Sequence, residues 1–338
     1  MLTVLIPEPK KLEVADLPKP QITQPDEVLV RVLAGGICGS DLHIYHGTNP
    51  LATYPRVIGH EFGGVVEDVG SAVSPERIGQ RVAVDPVVAC GQCYACKIGR
   101  HNVCSTLEVM GVHRDGGFAE YVVVPEKNLY TFSKEVDDTM LALVEPYSIG
   151  MQINARGQIS QGDKVLIMGS GPISICALQV AVSRGAQVMV TDVIPQRLER
   201  AKASGAARVV NVKEEDLEKA VMEFTDGEGM PVIIDTVCAV GTFEQAVRLS
   251  CPAGRIVVIG LNANPSAIAQ SEITKKELTI VGSRLSRARF GEVIEALEAG
   301  KLKPELLRSH TYPAADIKRA IEQIENHPEE VCKVTLTF

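Results

Sequence analysis

The chain has 338 residues, too long for one simple core, so two domains are expected. Hydrophobic residues make up 45% and charged residues 22%, the balance of a globular protein, and a formal net charge of -8 argues against a grip on nucleic acid or anionic lipid, which needs clustered Lys and Arg. No apolar run approaches the roughly 18 residues that span a bilayer, and MLTVLIPEPKKLEV lacks the basic-then-apolar order of a secretion signal, so a cytoplasmic setting is expected.

Up to Glu145 the chain reads as short strands broken by Gly and Pro: EVLVRVLAGGIC, GGVVEDVG, RVAVDPVV and FAEYVVVP. After Glu145 the texture changes. KVLIMGSGPISICALQVAVSRGAQVMVTD predicts strand, glycine turn, helix and second strand. QRLERAKASGA (helix), ARVVNV and VIIDTV (strands), FEQAVRLS (helix), and RIVVIGL and LTIVGS (strands) follow. Strands alternating with helices imply a parallel sheet covered on both faces. From about Ser283 the tail holds two amphipathic helices, near ARFGEVIEALEAG and ADIKRAIEQIE, and a last strand, CKVTLTF. Periodicity leaves open whether this tail extends the second domain or returns to the first.

Gly169-Ser170-Gly171-Pro172-Ile173-Ser174 follows the strand KVLIM and opens a helix, the context a dinucleotide-binding fingerprint requires. Gly169 permits the tight turn. Gly171 lets a pyrophosphate approach the backbone at the helix N-terminus, with Pro172 and Ile173 beside it. Ser174 replaces the third glycine. The second strand ends in Asp192, placed to accept bonds from ribose hydroxyls and to repel a 2′-phosphate. Val193 follows it rather than Arg, so NAD is favoured over NADP. Arg197, one helical turn on, is a candidate for the adenine face, and Gly260 and Leu261, closing RIVVIGL, are further candidate cofactor contacts.

Three clusters carry metal-ligand residue types. Cys90, Cys93, Cys96 and Cys104 have the spacing of a closed four-thiolate shell, and in a reducing compartment clustered cysteines hold metal more often than disulfides. GICGSDLH holds Cys38, and GHEFGG holds His60 and Glu61. Cys38, His60 and one carboxylate would supply the three ligands of a catalytic zinc with one open position.

GHEFGGVVEDVGSAV resembles the signature of the zinc-containing alcohol dehydrogenases, in the medium-chain dehydrogenase/reductase family. GICGSDLH, YPRVIGHE, DGGFAEY and EPYSIG resemble the polyol (sorbitol) dehydrogenase branch. HIYHGTNP, RVAVDPVVACGQCYAC, MGVHRDGGFAEY and CKVTLTF are most like the RspB-type, starvation-sensing sugar-acid dehydrogenases, a group that includes L-gulonate and L-galactonate 5-dehydrogenases. The resemblance covers essentially the whole chain. It implies an α/β fold: a GroES-like, β-rich catalytic domain from residues 1–146 and 284–338, and an inserted doubly wound parallel Rossmann domain, 147–283, that binds NAD.

The resemblance also implies roles. Cys38, His60 and Glu61 match the catalytic zinc ligands of the polyol branch. Glu145 stands where classical alcohol dehydrogenases have a second cysteine, and binds the ion directly or through water. The four clustered cysteines match a structural zinc, giving two zinc ions per chain. Ser40 and His43 would pass the alcohol proton outward, a role suited to an imidazole that titrates near neutrality, with Asp41 orienting a ligand. Arg284 falls where polyol dehydrogenases place a substrate- or cofactor-contacting Arg, and His113 and Arg114 are further candidates for an acid group. Leu285 and Ile44 replace tyrosines that contact sorbitol, so a sugar acid is favoured over sorbitol itself. The alternatives are a neutral-polyol or L-threonine dehydrogenase and a non-catalytic NAD-binding sensor. The implied partners are a small-molecule substrate and a homodimer or homotetramer, with neither nucleic acid nor membrane.

Overall fold

The structure, a computed structural model, describes residues 1–260 and 263–338; Leu261 lies outside the described residues. The chain forms two compact units. One comprises Met1–Glu145, Phe290–Glu298 and Arg308–Phe338, and the other Pro146–Arg289 and Ala299–Leu307.

The first unit is built on strands. In chain order they are β1 (Leu2–Glu8), β2 (Lys11–Asp16), β3 (Glu27–Ile37), β4 (Arg56–Val57), β5 (Glu61–Val69), β6 (Arg81–Val84), β7 (Val87–Val88), β8 (Glu108–Val109), β9 (Tyr121–Pro125) and β10 (Leu129–Thr131). Helix α1 (Gly39–Tyr45) follows β3, and α2 (Tyr94–Lys97) lies in the cysteine loop. The main sheet runs β10-β6-β5-β3-β18-β17, with β9 also on β3; β17 (Arg308–Pro313) and β18 (Lys333–Thr337) come from the tail. β-Branched side chains suit these half-buried surfaces. Val28, Val30 and Val32 of β3 join Val66, Val82, Val84, Val122 and Val124 in one core. β1 and β2, which the sequence pattern did not single out, pair antiparallel in a separate sheet.

Register decides the chemistry. Gly36 of β3 pairs with Glu61 of β5 on one side and with Thr335 of β18 on the other. The end of β3 therefore collects residues from three distant segments. A Cβ at Gly36 would overlap Glu61 Oε2, so glycine there leaves the carboxylate its place.

The second unit has a six-stranded parallel sheet. Its strands are β11 (Lys164–Met168), β12 (Gln187–Asp192), β13 (Arg208–Asn211), β14 (Met230–Asp235), β15 (Ser250–Val258) and β16 (Thr279–Gly282), in the order β13-β12-β11-β14-β15-β16. This is the doubly wound dinucleotide-binding order, which reverses between β11 and β14. The runs VLIM (165–168) and VII (232–234) are apolar throughout because both sheet faces are covered. Leu166, Met189, Val210, Ile233 and Ile256 centre the core. The helices between strands are α4 (Pro172–Ser183), α5 (Pro195–Ala203), α6 (Leu217–Phe224), α7 (Thr242–Leu249) and α8 (Gln270–Lys276).

Two features differ from the expected division. The break between units falls inside a single helix, α3 (Asp138–Arg156), which carries Pro146 in its interior. The strand-like texture before Glu145 hides that helix. In the tail, α9 (Phe290–Glu298), α11 (Ile317–Asn326) and the last strands belong to the first unit, whereas 284–289 and 299–307, including α10 (Pro304–Leu307), belong to the second. A side-chain clamp explains the latter segment. Buried Gln179 of α4 accepts from the Lys303 N–H at 2.7 Å and donates to the Lys303 carbonyl at 3.2 Å. Among the described residues no helix is long and apolar enough to cross a membrane.

Candidate metal centres and cofactor site

Cys38, His60 and Glu61 bring one ligand atom each to within 4.8 Å of one another. Cys38 is the N-cap of α1, His60 precedes β5 and Glu61 opens it. Asp41 ties these pieces together. Its Oδ2 accepts from the Cys38 N–H at 2.8 Å, and its Oδ1 accepts from the Gly59 N–H at 3.3 Å and faces His60 Nδ1 at 3.6 Å. A proton on Nδ1 turned toward Asp41 leaves Nε2 as the metal-binding lone pair. Ser40 Oγ lies 3.4 Å from that Nε2.

The electrostatics fit a divalent cation. Glu61 is 1% exposed, yet its Oε2 has no hydrogen-bond partner among the described residues. Burial works against an imidazolium at His60, but the charges of Asp41 and Cys38 outweigh it and hold the ring well above its ordinary pKa. That field favours a cation of any kind. With Cys38 as the thiolate and His60 as the neutral imidazole that metal binding requires, Asp41, Glu61 and Cys38 carry three negative charges against the one positive charge of buried Lys333. A divalent ion cancels that excess.

Lys333 is the functional residue that sequence reasoning missed. Its Nζ donates to Glu61 Oε1 at 2.6 Å and to the Ile37 carbonyl at 3.1 Å, with 2% of the residue exposed. Burial opposes its charge, but Glu61, Cys38 and Glu145 raise its pKa above the ordinary lysine value. The only signal in the sequence is a lone Lys opening a terminal strand, KVTLTF, with no other charged residue. Glu145 stands outside the three-residue cluster. Burial, reinforced by the charge of Glu61, pushes its carboxyl up to about 8. Asp85, also buried, is pushed up to about 6 by desolvation although it accepts from the Val87 N–H.

The four clustered cysteines also come together, with all sulfurs within 4.8 Å. Cys90 Sγ and Cys104 Sγ are 3.4 Å apart, and Cys93 Sγ and Cys104 Sγ 3.9 Å. A zinc–sulfur distance of about 2.3 Å in a tetrahedron gives sulfur–sulfur edges of about 3.8 Å. All nine cysteines are free, so the cluster is not a disulfide knot. Cys104→Ser is expected to remove one zinc per chain in elemental analysis and to lower the unfolding temperature by about 5 °C or more, with turnover per remaining zinc unchanged. Metal content that stays at the wild-type level would count against a closed four-thiolate site.

His43 is exposed on α1, with Nδ1 2.8 Å from Thr48 Oγ1. His113 turns Nδ1 inward to accept from the Val109 N–H at 3.1 Å, and Arg114 pairs with Glu108 at 3.7 Å.

In the second unit Gly169 has φ +96, which excludes most side chains at that turn. Gly171 is the N-cap of α4 without a side-chain cap bond, and a Cβ there meets nothing within 4 Å. The N-terminus of α4 thus opens at a residue that carries no side-chain cap and has clear space beside it, the arrangement that suits a pyrophosphate. Pro172 and Ile173 are half-buried beside it. Ser174, in place of the third glycine, bonds Thr236 Oγ1 at 2.7 Å and so ties α4 to the end of β14. Asp192 closes β12. Its Oδ2 accepts from the Ser170 N–H at 2.8 Å, and its Oδ1 from the Val193 and Ile194 N–H groups at 2.8 and 3.0 Å. Arg197 is half-buried, and its carbonyl accepts from Ser170 Oγ at 2.9 Å. The Gly260 N–H donates to Cys238 Sγ at 3.0 Å. Arg284 is exposed and belongs to the second unit, not to the unit that holds Cys38, His60 and Glu61.

The profile of the alcohol dehydrogenase GroES-like domain matches residues 24–134, and that of the zinc-binding dehydrogenases matches 172–299. Starvation-sensing protein RspB of Escherichia coli (strain K12) is 45% identical over 100% of this chain and 99% of its own length. L-galactonate-5-dehydrogenase of the same strain is 34% identical over 93% of this chain and 92% of its own. The crystal structure of RspB from E. coli CFT073, complexed with NADH, matches with a TM-score of 0.95 and 44% identity over 100% of this chain and 99% of that one. With both profiles in place and a relative matched from end to end, the chain belongs to the zinc-containing alcohol dehydrogenase family.

Proposed function

We propose that this family member is a zinc- and NAD-dependent dehydrogenase that oxidises a secondary alcohol of a sugar acid, of the L-gulonate or L-galactonate type, to the ketone at C5. The observation that carries the reading is the Cys38–His60–Glu61 cluster, with an unpartnered carboxylate oxygen in a buried, negatively charged site. The similarity to L-galactonate-5-dehydrogenase supports the substrate class.

When bound, zinc lowers the pKa of an alcohol and the nicotinamide accepts its hydride. Cys38, His60 and Glu61 hold the metal, and Asp41 keeps the His60 ring turned. Glu145, a buried carboxyl beside Glu61, serves as a reserve ligand. Ser40 Oγ, beside His60, takes the alcohol proton, and His43 receives it and releases it to water. Cys90, Cys93, Cys96 and Cys104 hold a second zinc that staples their loop.

Asp192, fixed by three backbone N–H groups, turns its remaining lone pairs to the ribose hydroxyls of NAD, and no cation beside it at Val193 invites a 2′-phosphate. Gly169, Gly171, Pro172 and Ile173 cradle the pyrophosphate, with Arg197, Gly260 and Arg284 as outer contacts. Nine free cysteines support a reducing, cytoplasmic setting. Among the described residues β16 pairs with β15 alone, an edge that assembly as a homodimer or homotetramer would use.

NAD reduction measured against a panel of aldonates, polyols and L-threonine tests the reading, with turnover expected on L-gulonate or L-galactonate. Turnover of sorbitol or threonine alone would replace the substrate, and zinc-loaded protein inert to the whole panel would favour an NAD-binding sensor. Asp192→Ala is expected to lower the preference for NAD over NADP by about tenfold or more, the loss of one charge-assisted bond and of one repulsion. An unchanged ratio would remove Asp192 from the cofactor site.

A further inference from the structure

Helix α1 ends in an arrangement that places a hydroxyl on the candidate relay histidine. His46 is the C-cap, and Gly47 follows with φ +74. The Gly47 N–H bonds the Ile44 carbonyl at 3.1 Å, and the Thr48 N–H bonds the His43 carbonyl at 2.8 Å. These are the two bonds of a Schellman motif, in which the second residue past the cap folds back on the third residue before it. The side-chain contact that accompanies this motif is commonly apolar. Here it is polar: Thr48 Oγ1 lies 2.8 Å from His43 Nδ1 and 3.3 Å from the His43 carbonyl oxygen. The turn has little room to drift, because a Cβ at Gly47 would meet Pro9 Cβ at 2.7 Å.

The hydroxyl has one proton. Donated to the His43 carbonyl, it leaves Oγ1 to accept from Nδ1–H, and a neutral imidazole with its proton on Nδ1 has its lone pair on Nε2. A relay that accepts its proton at Nε2, the ring nitrogen not turned to Thr48, needs that tautomer. We infer that Thr48 is a positioning residue that fixes His43 as the Nδ1–H tautomer, with Nε2 as the proton acceptor. This rests on the relay role assigned to His43 above, while the tautomer itself is a property of the motif. Thr48 touches neither substrate nor cofactor in this reading and acts only through the ring.

The test is nitrogen NMR of full-length protein labelled in its seven histidines, with His43→Gln assigning the ring, alongside turnover with NAD and the best substrate. In the wild type the His43 signals should report a protonated Nδ1 and a free Nε2. Thr48→Val removes the hydroxyl at similar volume. It is expected to move the population to Nε2–H and to lower kcat by about tenfold, within the range attributed to general acid–base catalysis. Thr48→Ser should restore both. An unchanged tautomer in Thr48→Val overturns the inference. So does a loss of turnover that is equally large in the His43→Gln background, because the threonine would then be acting on the fold rather than through the ring. If the tautomer shifts as expected but His43→Gln turns over like the wild type, the positioning stands and the relay reading fails.

Discussion

Cys38→Ser and His60→Ala are expected to lower turnover by roughly a thousandfold or more while NADH binding, followed by fluorescence, stays at the wild-type level. The magnitude follows from the several kcal/mol of charge stabilisation that a Lewis acid supplies, about 1.4 kcal/mol being worth tenfold in rate. Cys38→Ser exchanges a sulfur, the softer zinc ligand, for a hydroxyl. His60→Ala removes the ring that Asp41 faces at 3.6 Å. The four-cysteine loop is formed by other residues, so each variant should retain one zinc per chain where the wild type holds two. The residues assigned to NAD lie in the other unit, which is why cofactor binding is spared. Full turnover in either variant, or zinc content unchanged at two, would break the ligand assignment.

The second large effect is on stability. Lys333→Met leaves Glu61, 1% exposed, without the ammonium that meets its Oε1 at 2.6 Å. Breaking a buried ion pair from one side costs about 3–5 kcal/mol, whereas removing both partners is close to neutral. Denaturant unfolding should therefore show a lowered midpoint for Lys333→Met and substantial recovery in the Lys333→Met, Glu61→Gln double variant. The loss should be larger after zinc removal than with zinc bound, because the ion itself neutralises the carboxylate. Lys333→Met as stable as the wild type in both states would mean that Lys333 does not carry the Glu61 charge.

These two sets of variants mark the limits of what the chain discloses on its own. Cys38 and His60 are legible because each sits in a local motif, GICGSDLH or GHEFGG, whose residue types are those of metal ligands. The four cysteines are legible for the same reason: ligands within fifteen residues need only a loop to meet. The glycine turn, helix and terminal Asp192 are equally local, since strand, turn and helix follow one another along the chain. The helix across Glu145 was hidden by its neighbourhood of short strands and by the proline within it.

The amino-acid sequence by itself therefore determined the ligand types, the dinucleotide turn and the two-unit plan, all encoded in short spacings or in hydrophobic period. Only the tertiary structure decided which side chain balances the charge of Glu61. Lys333 lies 272 positions from Glu61, and what joins them is the register of β18 and β5 on either side of β3. The same holds for the clamp of Gln179 on Lys303 and for the carboxyls of Glu145 and Asp85, whose raised pKa values come from burial. A spacing can be read along the chain, but burial and the partner across a sheet exist only once distant strands have paired.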